Sequence, residues 1–342
     1  MRYPEFLKEK GTIGFIAPSF GAATEPYSSR FDEAIRHFNA DGFKTVEGPN
    51  ARVQKGIGKS NTPEKCAEEI NDFFIHDKSD IIMSCGGGEL MCEDLPFVDF
   101  EGIKKSRPKW YIGYSDNTNL TFLLPTLCDT AAVYGPCVSD FGMKPWHPSI
   151  EDAYQLLQGH KTAFENYDGW EKKWPEERET EPTAPYNITE PYRQEILAGG
   201  DSVDFEGRLL GGCMDCLVNL CGTRFDRVSE FIERYKEDGI IWYLECCDLN
   251  VMSMRRALWQ MENAGWFKYA KGFIIGRPLH YDDDFDGFTP REAFNGILSR
   301  FDVPVVMNID LGHLSPMIPI VSGACGRIKA SGNEFSYEVK FK

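Results

Sequence analysis

Runs of continuous apolar residues alternate with stretches of helical spacing over the first 160 positions. Gly11-Thr-Ile-Gly-Phe-Ile-Ala17, closed by Pro18, has the pattern of a strand buried on both faces. A small-residue loop, Ser19 to Ser29, follows. Phe31, Ala34, Ile35 and Phe38 then share one face of a helix over Phe31–Asp41, with Gly42 as its stop. Phe43–Val46 reads as a short strand. Thr62 and Pro63 open a second helix that turns Cys66, Ile70, Phe73 and Phe74 inward. Asp80–Ser84, Lys109–Gly113 and Ala131–Tyr134 are further strands, and Ile150–Gln158 is a helix. Strands alternating with helices in this way predict an open parallel α/β sheet over residues 1–160.

The pattern breaks at 161–205. Charge is dense from Trp170 to Pro182, and Pro182, Pro185 and Pro191 interrupt any helix, which predicts a linker with a surface hairpin or lid. Trp170 and Trp174 are placed either to clamp a substrate or to pack this segment on its neighbours. A second unit, 206–342, begins with a Gly211-Gly212 turn into a helix from Met214. Gly239–Leu244 is a buried strand delivering Glu245, and Met252–Ala264 is a helix. Gly272–Gly276 and Pro304–Asn308 are strands, the latter running into Asp310-Leu-Gly-His313. Phe335–Phe341 alternates like a half-exposed strand.

Composition narrows the function. With 37 basic against 53 acidic residues the formal charge is −16, which argues against a nucleic-acid polymer or an anionic membrane as partner. No segment approaches the roughly 18 apolar residues of a membrane span, and the first residues lack a signal-peptide core. Eleven cysteines, odd in number and scattered through predicted strands and helices, fit a reducing compartment. A cytoplasmic location is expected. Cys213-Met-Asp-Cys216 has no second pair and no histidine at ligand spacing, so free thiols and no metal or other cofactor are expected. Asp282-Asp-Asp284 lacks the spacing of a calcium loop and reads as solvated.

The candidate chemistry lies where strands end. Ser115, in Gly113-Tyr-Ser115-Asp-Asn117, sits on a strand-to-helix turn, where a hydroxyl is exposed and helix amides converge. Such a serine is a nucleophile or a helix cap. Glu245 follows five apolar residues, and His313 lies in the turn Gly312-His-Leu-Ser-Pro316. A serine needs a base near neutrality, and an imidazole needs a carboxylate to orient it. Alternatively, Glu245 pairs with Arg255 or Arg256 and His313 caps or packs. Gly86-Gly87-Gly88 after a strand lacks dinucleotide-binding spacing and is either a tight turn or a ligand cradle.

Several blocks together resemble the LD-carboxypeptidase family of serine peptidases, which includes muropeptide LD-carboxypeptidases and microcin C self-immunity peptidases. They are Gly11–Ser19, Gly86-Gly87, Pro108–Asp116, Tyr134-Gly-Pro136, Gly207–Gly212, Tyr243–Glu245, Gly272–Arg277 and Asp310–His313, in the family's order. The resemblance implies a flavodoxin-like parallel-sheet N-terminal domain plus a smaller α/β C-terminal domain. It implies Ser115 as nucleophile, His313 as general base and Glu245 as its carboxylate partner. The oxyanion hole would be built from the backbone of Asp116 and the Gly86-Gly87 turn. A cytoplasmic homodimer without metal follows from the same likeness, as does a small peptide or peptidyl-nucleotide substrate, the L,D-bond of a muropeptide first. The chain departs from the microcin-immunity branch at substrate-binding positions. Cys213 stands where that branch has asparagine, Glu89-Leu90 where it has Ser-Asn, and Asp248-Leu-Asn250 where it has a lysine. Cys213 and Glu89 are therefore candidate pocket residues. Competing readings are an α/β-hydrolase esterase and a non-catalytic ligand-binding relative.

Overall fold

A computed structural model describes residues 1–173 and 180–342. The first sheet has six strands in the order Lys44–Glu47, Thr12–Ile16, Ile81–Ser84, Trp110–Gly113, Ala132–Tyr134 and Ile320–Ser322. The first five are parallel, and the last pairs antiparallel with Ala132–Tyr134. Ile81–Ser84 and Trp110–Gly113 are buried at every position, as strands covered on both faces must be. The helix predicted from Phe31 starts one turn earlier, at Tyr27–Ala40, where Ser28 and Ser29 both donate hydrogen bonds to Glu25.

The second sheet has eight strands. From one edge they are Ala163–Glu165, Glu334–Lys340, Cys325–Ser331, Ser202–Cys213, Ile240–Glu245, Ala270–Gly276, Val305–Ile309 and Glu195–Ala198. Its centre is parallel and its flanks antiparallel. Ser202–Cys213 is the longest strand, and Gly211-Gly212 lies inside it, where a turn was expected. The backbone of Tyr243 passes so close that a β-carbon on Gly211 would sit 1.8 Å from its carbonyl oxygen. Glycine here permits strand packing and does not mark a reversal.

Residues 161–205 differ from a bare linker. They supply both edge strands of the second sheet, with Phe164 buried, and a two-stranded ribbon, Gly169–Trp170 against Glu190–Pro191, lies between them. The alternation of these strands is too short to read among prolines and charges. The strand Ile320–Ser322 runs the other way across the molecule, from the second half of the chain into the first sheet. The two sheets are interlocked.

Candidate functional site

The carboxyl ends of the strands Trp110–Gly113 and Ile240–Glu245 meet at the junction of the two sheets. Beyond Gly113 the chain turns through Ser115–Asn117 in a 3-10 turn, then the helices Thr118–Thr121 and Leu123–Cys128. Pro125 has no N–H for the Thr121 carbonyl, which accounts for the break between the two helices. Ser115 has φ = 64°, left-handed backbone that costs a non-glycine residue about 1–3 kcal/mol and persists only where the surroundings impose it. Its N–H donates to Tyr134 Oη at 3.1 Å.

Ser115 Oγ lies 2.9 Å from His313 Nε2, and His313 Nδ1 lies 2.8 Å from Glu245 Oε2. The other oxygen of Glu245 accepts from the Tyr134 hydroxyl. Glu245 is fully buried, and neither Arg255 nor Arg256 reaches it. Arg255 instead donates to the carbonyls of Glu292 and Ala293, and Arg256 to Ser253. Burial works against a charged His313, but the Glu245 carboxylate outweighs it and holds the ring well above the ordinary imidazole range. Burial likewise opposes ionisation of Glu245, and His313 and Tyr134 together bring its carboxyl below the usual value. The arrangement places one ring nitrogen of His313 against a serine hydroxyl and a buried carboxylate against the other.

The glycine turn flanks this chain of contacts. A β-carbon on Gly87 would lie 3.0 Å from Ser115 Cβ and 3.1 Å from its Oγ. Phe20 N–H holds the Gly87 carbonyl at 2.7 Å, turning that peptide. Among the described residues, the N–H groups of Gly87 and Asp116 enter no hydrogen bond of the fold. Asn117, expected only as a residue of the helix's first turn, ties the glycine turn to the elbow by donating to the carbonyls of Gly86 and Tyr114, each at 2.9 Å. Asp116 fixes the loops around it. Its carboxylate accepts from Ser19 Oγ at 2.5 Å and from Met91 N–H at 2.9 Å.

Cys213 is buried in register with Glu245, and its N–H donates to Thr118 Oγ1 at 3.0 Å, stitching the second sheet to the elbow. Glu89 stands on the rim. Burial raises its carboxyl above the usual value, with Asp248, Asp116 and Asp215 adding to the effect. Trp170 is 8% exposed and packs edge-on against Tyr281 with the Arg277 guanidinium 5.1 Å from its ring, so it serves packing and leaves little ring surface for a ligand. Trp174 lies outside the described residues. Tyr134 was also missed as a site residue, although it too ends a strand beside Gly113, the same signal that singled out Ser115 and Glu245. Among the described residues, no group of three or more His, Cys, Asp or Glu is placed to hold a metal ion, and no helix is long and apolar enough to cross a membrane.

Comparison with known proteins agrees with this architecture. Residues 13–135 match the LD-carboxypeptidase N-terminal domain, and residues 206–328 the LD-carboxypeptidase C-terminal domain. A Vibrio cholerae protein whose name assigns it provisionally to the carboxypeptidases is 25% identical over 348 residues, 99% of this chain and 98% of its own. The microcin C7 self-immunity protein MccF of Escherichia coli is 26% identical, over 91% of this chain and 88% of its own. Among solved structures, an MccF-like protein from Bacillus anthracis superposes with a TM-score of 0.84 at 20% identity, covering 100% of both chains. MccF in complex with aspartyl sulfamoyl adenosine superposes with a TM-score of 0.81 at 22% identity, over 100% of this chain and 99% of that one.

Proposed function

The chain belongs to the LD-carboxypeptidase family, and from that premise we propose that it is a serine peptidase working through Ser115, His313 and Glu245. The observation that carries this reading is the unbroken contact from Ser115 Oγ through both ring nitrogens of His313 to buried Glu245. His313 Nε2 takes the hydroxyl proton as Ser115 Oγ attacks the amide carbon, and Glu245 stabilises the imidazolium that forms. The N–H groups of Gly87 and Asp116 receive the oxyanion. His313 then gives its proton to the leaving amine, and a water it activates releases the acyl group from Ser115.

The substrate in this reading is a small peptide amide, with the L,D-bond of a muropeptide first. MccF in complex with aspartyl sulfamoyl adenosine motivates a second reading, hydrolysis of a peptidyl-nucleotide. A homodimer acting in the cytoplasm belongs to the same proposal, and light scattering of the purified chain tests the dimer.

Mass spectrometry of the protein incubated with a muropeptide tetrapeptide, and separately with a peptidyl-adenylate analogue, decides between the substrates. Loss of the terminal D-alanine favours the first, and cleavage of only the analogue favours the second. Ser115→Ala should lower turnover by on the order of 10⁴-fold or more while the circular dichroism spectrum stays unchanged. Undiminished turnover in that variant would overturn the assignment.

A further inference from the structure

Three of the eleven cysteines sit against the three residues assigned above to catalysis. Cys213, in register with Glu245, has one S–H and three acceptors in reach: the Glu245 carboxylate, Asp215 Oδ2 at 3.3 Å, and the Cys216 sulfur. Cys216 Sγ lies 3.7 Å from the Ser115 carbonyl oxygen and 3.9 Å from Asp116 Oδ1. Cys247 is a hydrogen-bond partner of His313. Of the first pair, Cys213 is buried and Cys216 half-buried, so an oxidant meets Cys216 first.

The pair is spaced for a disulfide. Cys213 is the N-cap of the helix Met214–Leu220, and Cys216 lies three positions on, in its first turn. A residue at the N-cap and one at the third helical position face each other across the first turn, the placement of Cys-x-x-Cys pairs that cycle between dithiol and disulfide. The two thiols are already hydrogen-bonded to one another.

We infer that Cys213 and Cys216 form an oxidisable dithiol whose conversion to a disulfide by a peroxide shuts the Ser115 site. The inference rests on the serine-peptidase reading for its effect on activity, though not for the bond itself. The Cys216 sulfur attacks one peroxide oxygen, the O–O bond breaks, and a sulfenic acid and one water result. The Cys213 sulfur then displaces the sulfenic oxygen as a second water, giving one S–S bond. Two thiols lose two protons and two electrons, and the peroxide takes up both to become two waters. Glu245 and Asp215 thereby lose the Cys213 S–H, and Cys216 is drawn from the Ser115 carbonyl.

The hydrogen bond to Cys216, with burial and the Glu245 carboxylate, pushes the Cys213 thiol up. For Cys216 the hydrogen bond from Cys213 works the other way, and burial with the carboxylate of Asp116 outweighs it. The oxidation therefore accelerates toward alkaline pH, where more of Cys216 is thiolate.

The test treats the full chain with stoichiometric hydrogen peroxide at mildly alkaline pH. It follows the mass of the peptide containing both cysteines and the rate at which a fluorophosphonate labels Ser115. The expected result is loss of two hydrogens from that peptide and roughly tenfold slower labelling, restored by dithiothreitol. Cys216→Ser, whatever its own labelling rate, should lose the response to peroxide, and Cys247→Ala should keep it. Two free thiols after excess peroxide would overturn the proposal, as would a mapped disulfide that leaves labelling unchanged. Reduced protein that takes no probe would instead overturn the serine-peptidase reading, and the peptide mass would still decide the dithiol.

Discussion

Glu245 sets the working pH of the proposed nucleophile. His313 must be neutral to accept the Ser115 proton, yet the carboxylate at 2.8 Å holds its charged form well above the ordinary 6.5. The ring is thus protonated below that raised value and becomes a competent base only as pH rises through it. A pH profile of kcat/KM should accordingly show its ascending limb displaced to the alkaline side of an unperturbed imidazole. Glu245→Gln removes the anion that stabilises the imidazolium, and kcat should fall by on the order of 10⁴-fold in steady-state assays. Tyr134 acts on both ends of the same chain of contacts. Tyr134→Phe strips a donor from Glu245 and leaves the half-buried Ser115 N–H without its acceptor. A denaturant titration of that variant should lose about 1–3 kcal/mol. Its ascending limb should move further up, because a carboxylate short of donors holds the imidazolium more tightly.

At the level of elements, the site is two turns pressed together. The elbow after Trp110–Gly113 carries the hydroxyl, and the glycine turn after Ile81–Ser84 lies against it with no side chain between. That closeness makes a methyl group on Gly87 press directly on Ser115. Gly87→Ala would put a carbon 3.1 Å from Ser115 Oγ and displace it from His313. A misplacement of that kind costs roughly 10²-fold in kcat, while the melting temperature should move only slightly because the strand behind the turn is untouched. Equal losses of kcat and of thermal stability would mean that the turn serves folding instead. Asn117 and Asp116 hold the two turns in register through carbonyls and amides, so the elbow is positioned by side chains that do no chemistry themselves.

Over the whole molecule, Ser115 comes from one sheet and His313 and Glu245 from the other, and the chain crosses between them more than once. Ile320–Ser322 completes the edge of the first sheet, and residues 161–205 complete both edges of the second. A fragment ending at residue 160 would lack the strand that covers Ala132–Tyr134, leaving an unpaired edge with Val133 uncovered. Such a fragment should aggregate or melt without a cooperative transition, whereas the full chain should unfold in one calorimetric step. A fragment that melts cooperatively on its own would contradict this.

The central strands of both sheets were legible in the amino-acid order because each is a continuous apolar run between breakers, a signal that needs no knowledge of its neighbours. Ser115, Glu245 and His313 were legible as polar residues placed where such runs stop, and the order of the family's motifs suggested the roles proposed for them. Local pattern could not reveal Gly211 inside a strand, because the reason for that glycine is the Tyr243 backbone beside it. The edge strands in 161–205 and at 320–322 exist only because another strand offers them hydrogen bonds. Asn117 was hidden for the same reason, since its partner Gly86 lies in another turn. Sequence by itself determined which strands are buried and which polar residues stand where they end, through hydrophobicity and breakers. Only the tertiary structure decided which of those residues meet, because contact at about 3 Å depends on how two sheets pack and not on any property of a single segment.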